Sequence, residues 1–164
     1  MDFKEIFTLC FFLTDNKVLL AMKKRGFGKD KWNGYGGKVG IKQGESIESA
    51  AVREIFEESN LSVQESKLEK VGLVRFSFDK KPKPEFFECH VFMAREWKGD
   101  PVETEEMRPE WYPINNLPFN EMWAGDCKWI PLVLSGKKIK ARVDFDSEGS
   151  KLNNFTWEEA DFSS

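Results

Sequence analysis

The stretch from Gly37 to Leu61, GKVGIKQGESIESAAVREIFEESNL, decides how the chain is read. Its Ala, Glu and Arg content predicts a helix over about Ser46 to Ser59, with Asn60 as the C-terminal cap. At about 100° per residue, Ile47, Ala50, Ala51 and Ile55 share one arc of that helix. Glu54 and Glu58 fall within the same arc and Glu57 lies on its edge. Carboxylates threaded through an apolar stripe are costly unless a cation neutralises them. At i, i+3 and i+4 the three are expected to converge on one point, an oxygen-rich site for a hard divalent ion such as Mg²⁺ or Mn²⁺. Arg53 stands beside them, placed to orient Glu57. On spacing alone an ion-paired surface helix accounts for the same residues, and both readings stand at this point.

The segment just upstream favours the metal. From Gly26 to about Gly44 it carries Gly26, Gly28, Gly34, Gly36, Gly37, Gly40 and Gly44. Lys23, Lys24, Arg25, Lys29, Lys31, Lys38 and Lys42 run through and beside it, and Asp30 is the only acid between Lys17 and Lys42. Glycines let backbone N–H groups approach an anion, and lysines supply charge. A basic loop running into an acidic helix suits a metal–polyphosphate complex, with cations on the phosphates and carboxylates on the bridging metal. Lysines of this kind also serve plain solubility. No Walker-type Gly-Lys-Ser/Thr and no strand-linked dinucleotide fingerprint is present, which excludes kinase and dehydrogenase readings.

The whole chain has 164 residues, the size of one domain, and residues 1–164 are expected to form a single one. Its 25 Lys and Arg against 28 Asp and Glu give a net charge of −3, which excludes a nucleic-acid-coating protein. A hydrophobic content of 40% excludes a disordered chain. Aromatic residues are abundant, Phe 15, Trp 6 and Tyr 2, and composition leaves open whether they form core or stacking surface. The three cysteines, Cys10, Cys89 and Cys127, are widely spaced among apolar neighbours and are expected to be buried free thiols of a reducing compartment. His90 is the lone histidine, so zinc chemistry is not expected, and no nucleophile elbow is present. Neither a signal peptide nor a membrane span is visible.

Along the chain, Ile6 to Leu13 and Val18 to Met22 read as a strand hairpin about the Asp15-Asn16 turn. Further strands are expected at Val71 to Phe78, Phe86 to Ala94 and about Pro109 to Pro113. Asp126 stands at the start of a second helix through about Leu134, and Ile139 to Phe145 with Leu152 to Trp157 form a last hairpin. The fold expected is α/β (α+β), a mixed central β-sheet sandwiched between two helices. Phe7, Phe11, Phe12, Phe92 and Phe145 sit in strand-like apolar runs and are expected in the core.

Gly37, Glu45, Arg53-Glu54-Ile55, Glu57-Glu58 and Leu61 occupy the places of the Nudix hydrolase signature, with the seven-residue gap between Glu45 and Arg53 intact. The chain departs from that pattern twice. Seven residues rather than five separate Gly37 from Glu45, and Asn60 replaces the final glycine. Asn tolerates the left-handed cap, so the insertion puts loop geometry in question more than catalysis. The runs MKKRGFG, KWNGYGGKV, PVETEEMRPEWY, LPFNEMW and DCKWIPLVL are similar to the Nudix members that hydrolyse oxidised purine nucleoside triphosphates.

The resemblance implies a Nudix fold and Mg²⁺-dependent hydrolysis (Mn²⁺ as an alternative) of substrates such as 8-oxo-dGTP and 2-hydroxy-dATP, yielding the monophosphate and pyrophosphate. It implies metal ligands at the Gly36 carbonyl, Glu54, Glu57, Glu58 and Glu106, with Arg53 completing the catalytic group. Substrate contacts are implied at Thr8, Lys23, Phe27, Asn33, Gly36, Gly37, Lys38, Phe76, Phe78, Met107, Trp123 and Asp126. Thr8, Phe76 and Phe78 also read as plain sheet residues, Asn33 as a turn, Trp123 as core and Asp126 as a helix N-cap. The expected partner is a small nucleoside triphosphate, with no nucleic acid polymer and no membrane. The expected form is a monomer in the cytoplasm, with nuclear and mitochondrial nucleotide pools also open.

Other Nudix substrates and a catalytically weak nucleotide-binding module are the alternatives, and the intact Arg-Glu and Glu-Glu pairs speak against the second. One departure touches specificity. The resembling enzymes have two adjacent aspartates where this chain has Gly125-Asp126, so a different preference among oxidised bases is expected.

Overall fold

The computed structural model describes residues 2–163. Its strands are β1 (Glu5–Leu13), β2 (Lys17–Lys23), β3 (Trp32–Asn33), β4 (Leu68–Phe78), β5 (Glu85–Ala94), β6 (Met107–Pro113), β7 (Ile139–Phe145) and β8 (Leu152–Glu159). Its helices are α1 (Ile47–Ser59) and α2 (Asp126–Leu134). The strands form one mixed sheet in the order β3-β2-β1-β5-β4-β7-β8, with β6 paired to β2. β1 runs parallel to β5 and β4 parallel to β7, and the remaining pairs are antiparallel. Among the described residues no helix is long and apolar enough to cross a membrane.

The sheet divides two apolar cores, which explains why β1 is apolar at almost every position. Leu9, Phe11 and Leu13 enter the core shared with Trp129, Ile130 and Val133 of α2. Cys10 and Phe12, the intervening residues, enter the core shared with Ala51 and Ile55 of α1. The sandwich expected from the sequence is therefore present. α1 begins one residue later than expected, with Ser46 as its N-cap, the hydroxyl accepting from Ser49 N at 3.1 Å, and Asn60 caps its C-terminus as expected at φ 65°.

The glycine-rich loop is more ordered than its composition implies. β1 and β2 pair directly only at Phe12–Leu19 and Leu13–Val18 and then diverge. Residues 32–38 thread the slot, with Asn33 and Trp32 against β2, then Tyr35 and Lys38 bridged to Cys10 and Phe7 of β1. Gly34 and Gly36 make this possible. A Cβ on Gly34 would stand 2.6 Å from the Cys10 carbonyl oxygen, and one on Gly36 would collide with the Thr8 carbonyl. The cysteine expectation fails at one position: Cys10 and Cys89 are buried, but Cys127 is exposed on the first turn of α2. Its apolar neighbours in sequence face inward while position 127 does not.

Candidate active site

The threaded segment and α1 form one end of a cavity of about 1070 Å³. Arg53 is the organising residue there. Its Nε and Nη2 donate to the two oxygens of Glu45 at 2.7 and 3.0 Å, Nη2 also reaches the Lys38 carbonyl at 3.1 Å, and Nη1 donates to Glu54 at 2.9 Å. Glu57 receives a longer bond from the same Nη1, at 3.3 Å. Hydrogen bonding to Arg53 holds the Glu45 carboxyl at a pKa of about 2. Arg53 thus does more than orient Glu57. It ties the loop to the helix, and Glu45, absent from the expected site residues although it stands in the motif, is its main partner.

Glu58 is 2% exposed. Its Oε1 accepts from Gly36 N at 3.0 Å, and Lys23 Nζ lies 3.8 Å from Oε2. Burial pushes its pKa up to about 7, and the negative charges of Glu54 and Glu106 push the same way. Burial raises that of Glu54 as well. A side chain on Gly37 would overlap the Glu54 carboxylate, so the second glycine of the pair leaves room for an acid. Glu57 stays exposed, and Glu106, from the segment before β6, lines the same cavity.

The carboxylates share a cavity without converging on a point as the spacing suggested. Among the described residues no three acidic, His or Cys side chains stand close enough to encircle an ion. The reason is local: Arg53 draws Glu54 and Glu57 toward the loop, while Glu58 turns to Gly36 N. The donor set nevertheless fits a hard divalent cation. It is all oxygen, and two of its members carry raised proton affinity because burial leaves their charge short of compensation.

At the other end the cavity is aromatic. Phe27, 65% exposed between Gly26 and Gly28, meets Trp123 at a centroid distance of 5.1 Å with the rings tilted by 34°. Phe78 meets Trp123 edge-on at 6.1 Å and stacks on Phe145 at 5.2 Å, and Phe76 lies flat against Phe145 at 6.1 Å. Lys31 Nζ sits 5.2 Å over the Trp123 ring. Phe76 and Phe78 do share one sheet face. Phe7 and Phe87 also line the cavity, so Phe7 is not simply core; Phe145 is buried as expected but belongs to the wall as well. Alternation along β5 held the signal for Phe87, two residues before the buried Cys89.

Asp126 is 2% exposed and forms part of this wall. It is the first residue of α2 rather than its cap, a position held by Gly125. Its carboxylate accepts from Trp123 N at 3.1 Å and from Trp129 Nε1 at 3.2 Å, and burial pushes its pKa up to about 7. A Cβ on Gly125 would lie 2.6 Å from Val143 Cγ1, so β7 fills the space that a side chain would need. Asn33 lines the cavity with its side-chain oxygen accepting from Gly34 N at 2.8 Å. Met107 and Thr8 are buried beside it, and the Thr8 hydroxyl has no partner among the described residues. Lys23 and Lys38 line the carboxylate end. Every expected site residue except Arg53 therefore borders one cavity, and Arg53 stands behind its wall, bonded to Glu45 and Glu54.

Comparison with known proteins places these features among relatives. The NUDIX domain matches residues 5–133. The oxidized purine nucleoside triphosphate hydrolase of Mus musculus is 43% identical over 153 residues, 93% of this chain and 94% of the mouse protein. The protein of the same name from Danio rerio is 46% identical over 141 residues, 86% of each chain. Among solved structures, the MutT protein of Bacillus halodurans superposes with a TM-score of 0.80 at 24% identity, covering 94% of this chain and 97% of that one, which shows the fold.

Proposed function

The chain belongs to the NUDIX family, and on that premise we propose that it is a nucleoside triphosphate pyrophosphohydrolase whose substrates are oxidised purine nucleotides. The observation that carries the reading is the single cavity, which joins an oxygen-rich, glycine-cradled end to an aromatic end with a buried carboxyl. The names of the mouse and zebrafish relatives support the same substrate class.

In this reading Glu54, Glu57 and Glu58, with the Gly36 carbonyl and Glu106, hold Mg²⁺ or Mn²⁺. The bound ion supplies charge neutralisation at the phosphates and acidifies an attacking water. Lys23 and Lys38 and the N–H groups near Gly37 receive the polyphosphate. Arg53 keeps Glu54 and Glu57 oriented through its hold on Glu45. Trp123, Phe27 and Phe78 stack on the base, an interaction worth about 1–3 kcal/mol per base. Asp126 reads the base edge, and 8-oxo-dGTP and 2-hydroxy-dATP are the expected substrates. The reading includes a monomer, and the three free cysteines favour a reducing compartment such as the cytoplasm.

The test is pyrophosphate release with 8-oxo-dGTP, 2-hydroxy-dATP, dGTP and ADP-ribose. An oxidised purine is expected to exceed dGTP and ADP-ribose by at least about tenfold in kcat/KM, a difference of about 1.4 kcal/mol in transition-state binding. Preference for ADP-ribose overturns the reading.

A further inference from the structure

The turn joining β7 and β8 is packed against the aromatic end of the cavity. Gly149, at φ 77°, lies so near the pocket that a Cβ on it would stand 2.8 Å from both Phe78 Cε1 and Trp123 Cζ3. Ser147 and Glu148 line the cavity itself, and Phe145, the last residue of β7, stacks on Phe78 and Phe76. These residues lie beyond position 133, where the match to the family domain ends.

The turn has little freedom. Asp146 accepts from Ser150 N and Ser150 Oγ at 2.9 Å each, its own N–H donates to Lys151 O at 3.0 Å, and Gly149 N donates to Asp146 O at 3.2 Å. These bonds stiffen the turn, and Asp79 N donates to the Phe145 carbonyl at 3.2 Å, which ties its base to the end of β4. Phe78 and Trp123 are therefore backed by main chain rather than by a compressible side chain.

We propose that the β7–β8 turn, through Gly149, fixes the position of Trp123 and Phe78 and so sets the width of the base-binding end, making Gly149 a positioning residue that selects nucleobases by bulk. The proposal rests on the reading of this cavity as a purine nucleotide site. A side chain at 149 drives the two rings into the cavity and narrows it where the base lies. The carboxylate end is untouched, because the lining residues there come from α1, the end of β2, the threaded segment and the approach to β6.

The experiment compares wild type with Gly149→Ala and Gly149→Asn. Asn tolerates a left-handed backbone but carries the same Cβ, so the pair separates crowding from backbone strain. Steady-state kinetics on 8-oxo-dGTP are measured together with inhibition by inorganic tripolyphosphate, a probe of the carboxylate end alone. For both variants KM is expected to rise at least about tenfold, with kcat within about threefold and the tripolyphosphate inhibition constant within about twofold. Restoration of wild-type KM by Asn overturns the proposal, as does an equal loss in both probes, no change in either, or failure of both variants to fold. Inactivity of the wild type toward 8-oxo-dGTP sinks the underlying reading instead, and shows before any variant is made.

Discussion

The guanidinium of Arg53 grips both oxygens of Glu45, at 2.7 and 3.0 Å, across the junction between the glycine-rich loop and α1. Lysine has no planar fork and cannot reproduce the two parallel bonds while also holding Glu54. Arg53→Lys is therefore expected to lower kcat by roughly 10–100-fold, the usual cost of removing a group that orients metal ligands. KM should stay within a few-fold, and circular dichroism should be unchanged. Wild-type kcat in this variant refutes the role.

Glu57 offers a cleaner separation of activity from stability. It is exposed, and its described hydrogen bonds are the two long ones from Arg53 Nη1, at 3.3 and 3.4 Å. Glu57→Gln is expected to abolish most turnover while shifting Tm by no more than the small amount typical of surface substitutions, within about 0.5 kcal/mol. Thermal melts and pyrophosphate release, run side by side, check both halves.

Asp126 predicts a pH dependence whose sign is unusual for a carboxyl. Burial raises its folded pKa from 3.8 to about 7, so the native state holds its proton more tightly than the unfolded chain. Its contribution to stability is full below the ordinary value and is lost as pH rises through about 7. Wild-type Tm should fall between pH 5 and 8, and Glu58, also raised to about 7, adds to the fall. Asp126→Asn should remove only the Asp126 share of the slope. An identical slope in wild type and variant means that Asp126 ionises normally.

Gly125 and Val143 form a coupled pair. Because Val143 Cγ1 occupies the place of a Cβ at 125, Gly125→Asp alone is expected to destabilise by about 1–3 kcal/mol, as overpacking does, without a gain in substrate range. Combined with Val143→Ala, the second carboxyl has room, and activity on 2-hydroxy-dATP relative to 8-oxo-dGTP should change. Calorimetry on the single and double variants, with kinetics on both nucleotides, measures the coupling.

What the sequence revealed follows from how local each signal is. α1 was legible to within a residue at its start and to its C-terminal cap, because Asn60 and the apolar arc act within a few turns of chain. The clustering of Glu54, Glu57 and Glu58 was legible from spacing, but their divergence was not, since it depends on Arg53 reaching back to Glu45 and on Gly36 N meeting Glu58. The threading of residues 32–38 between β1 and β2 was invisible for the same reason: it is a pairing between segments, with no periodicity of its own. Phe7 looked like core because its apolar neighbours are core. Which side of a strand opens onto a cavity is decided by what packs there, and in this chain the deciding segments lie far away along the sequence.

The parallel pairing of β1 with β5 also sets a schedule for assembly. Glu5 meets Phe87 and Phe12 meets Ala94, so β1 waits for a partner half the chain length away, whereas the hydrogen bonds of α1 close between residues four apart. During that wait Leu9, Cys10, Phe11, Phe12 and Leu13 form an apolar ribbon with an unsatisfied edge, the kind of segment that seeks any available strand. The contacts of the acidic helix thus form early and those of the sheet late, and the nascent chain's exposure to misassociation is concentrated in β1.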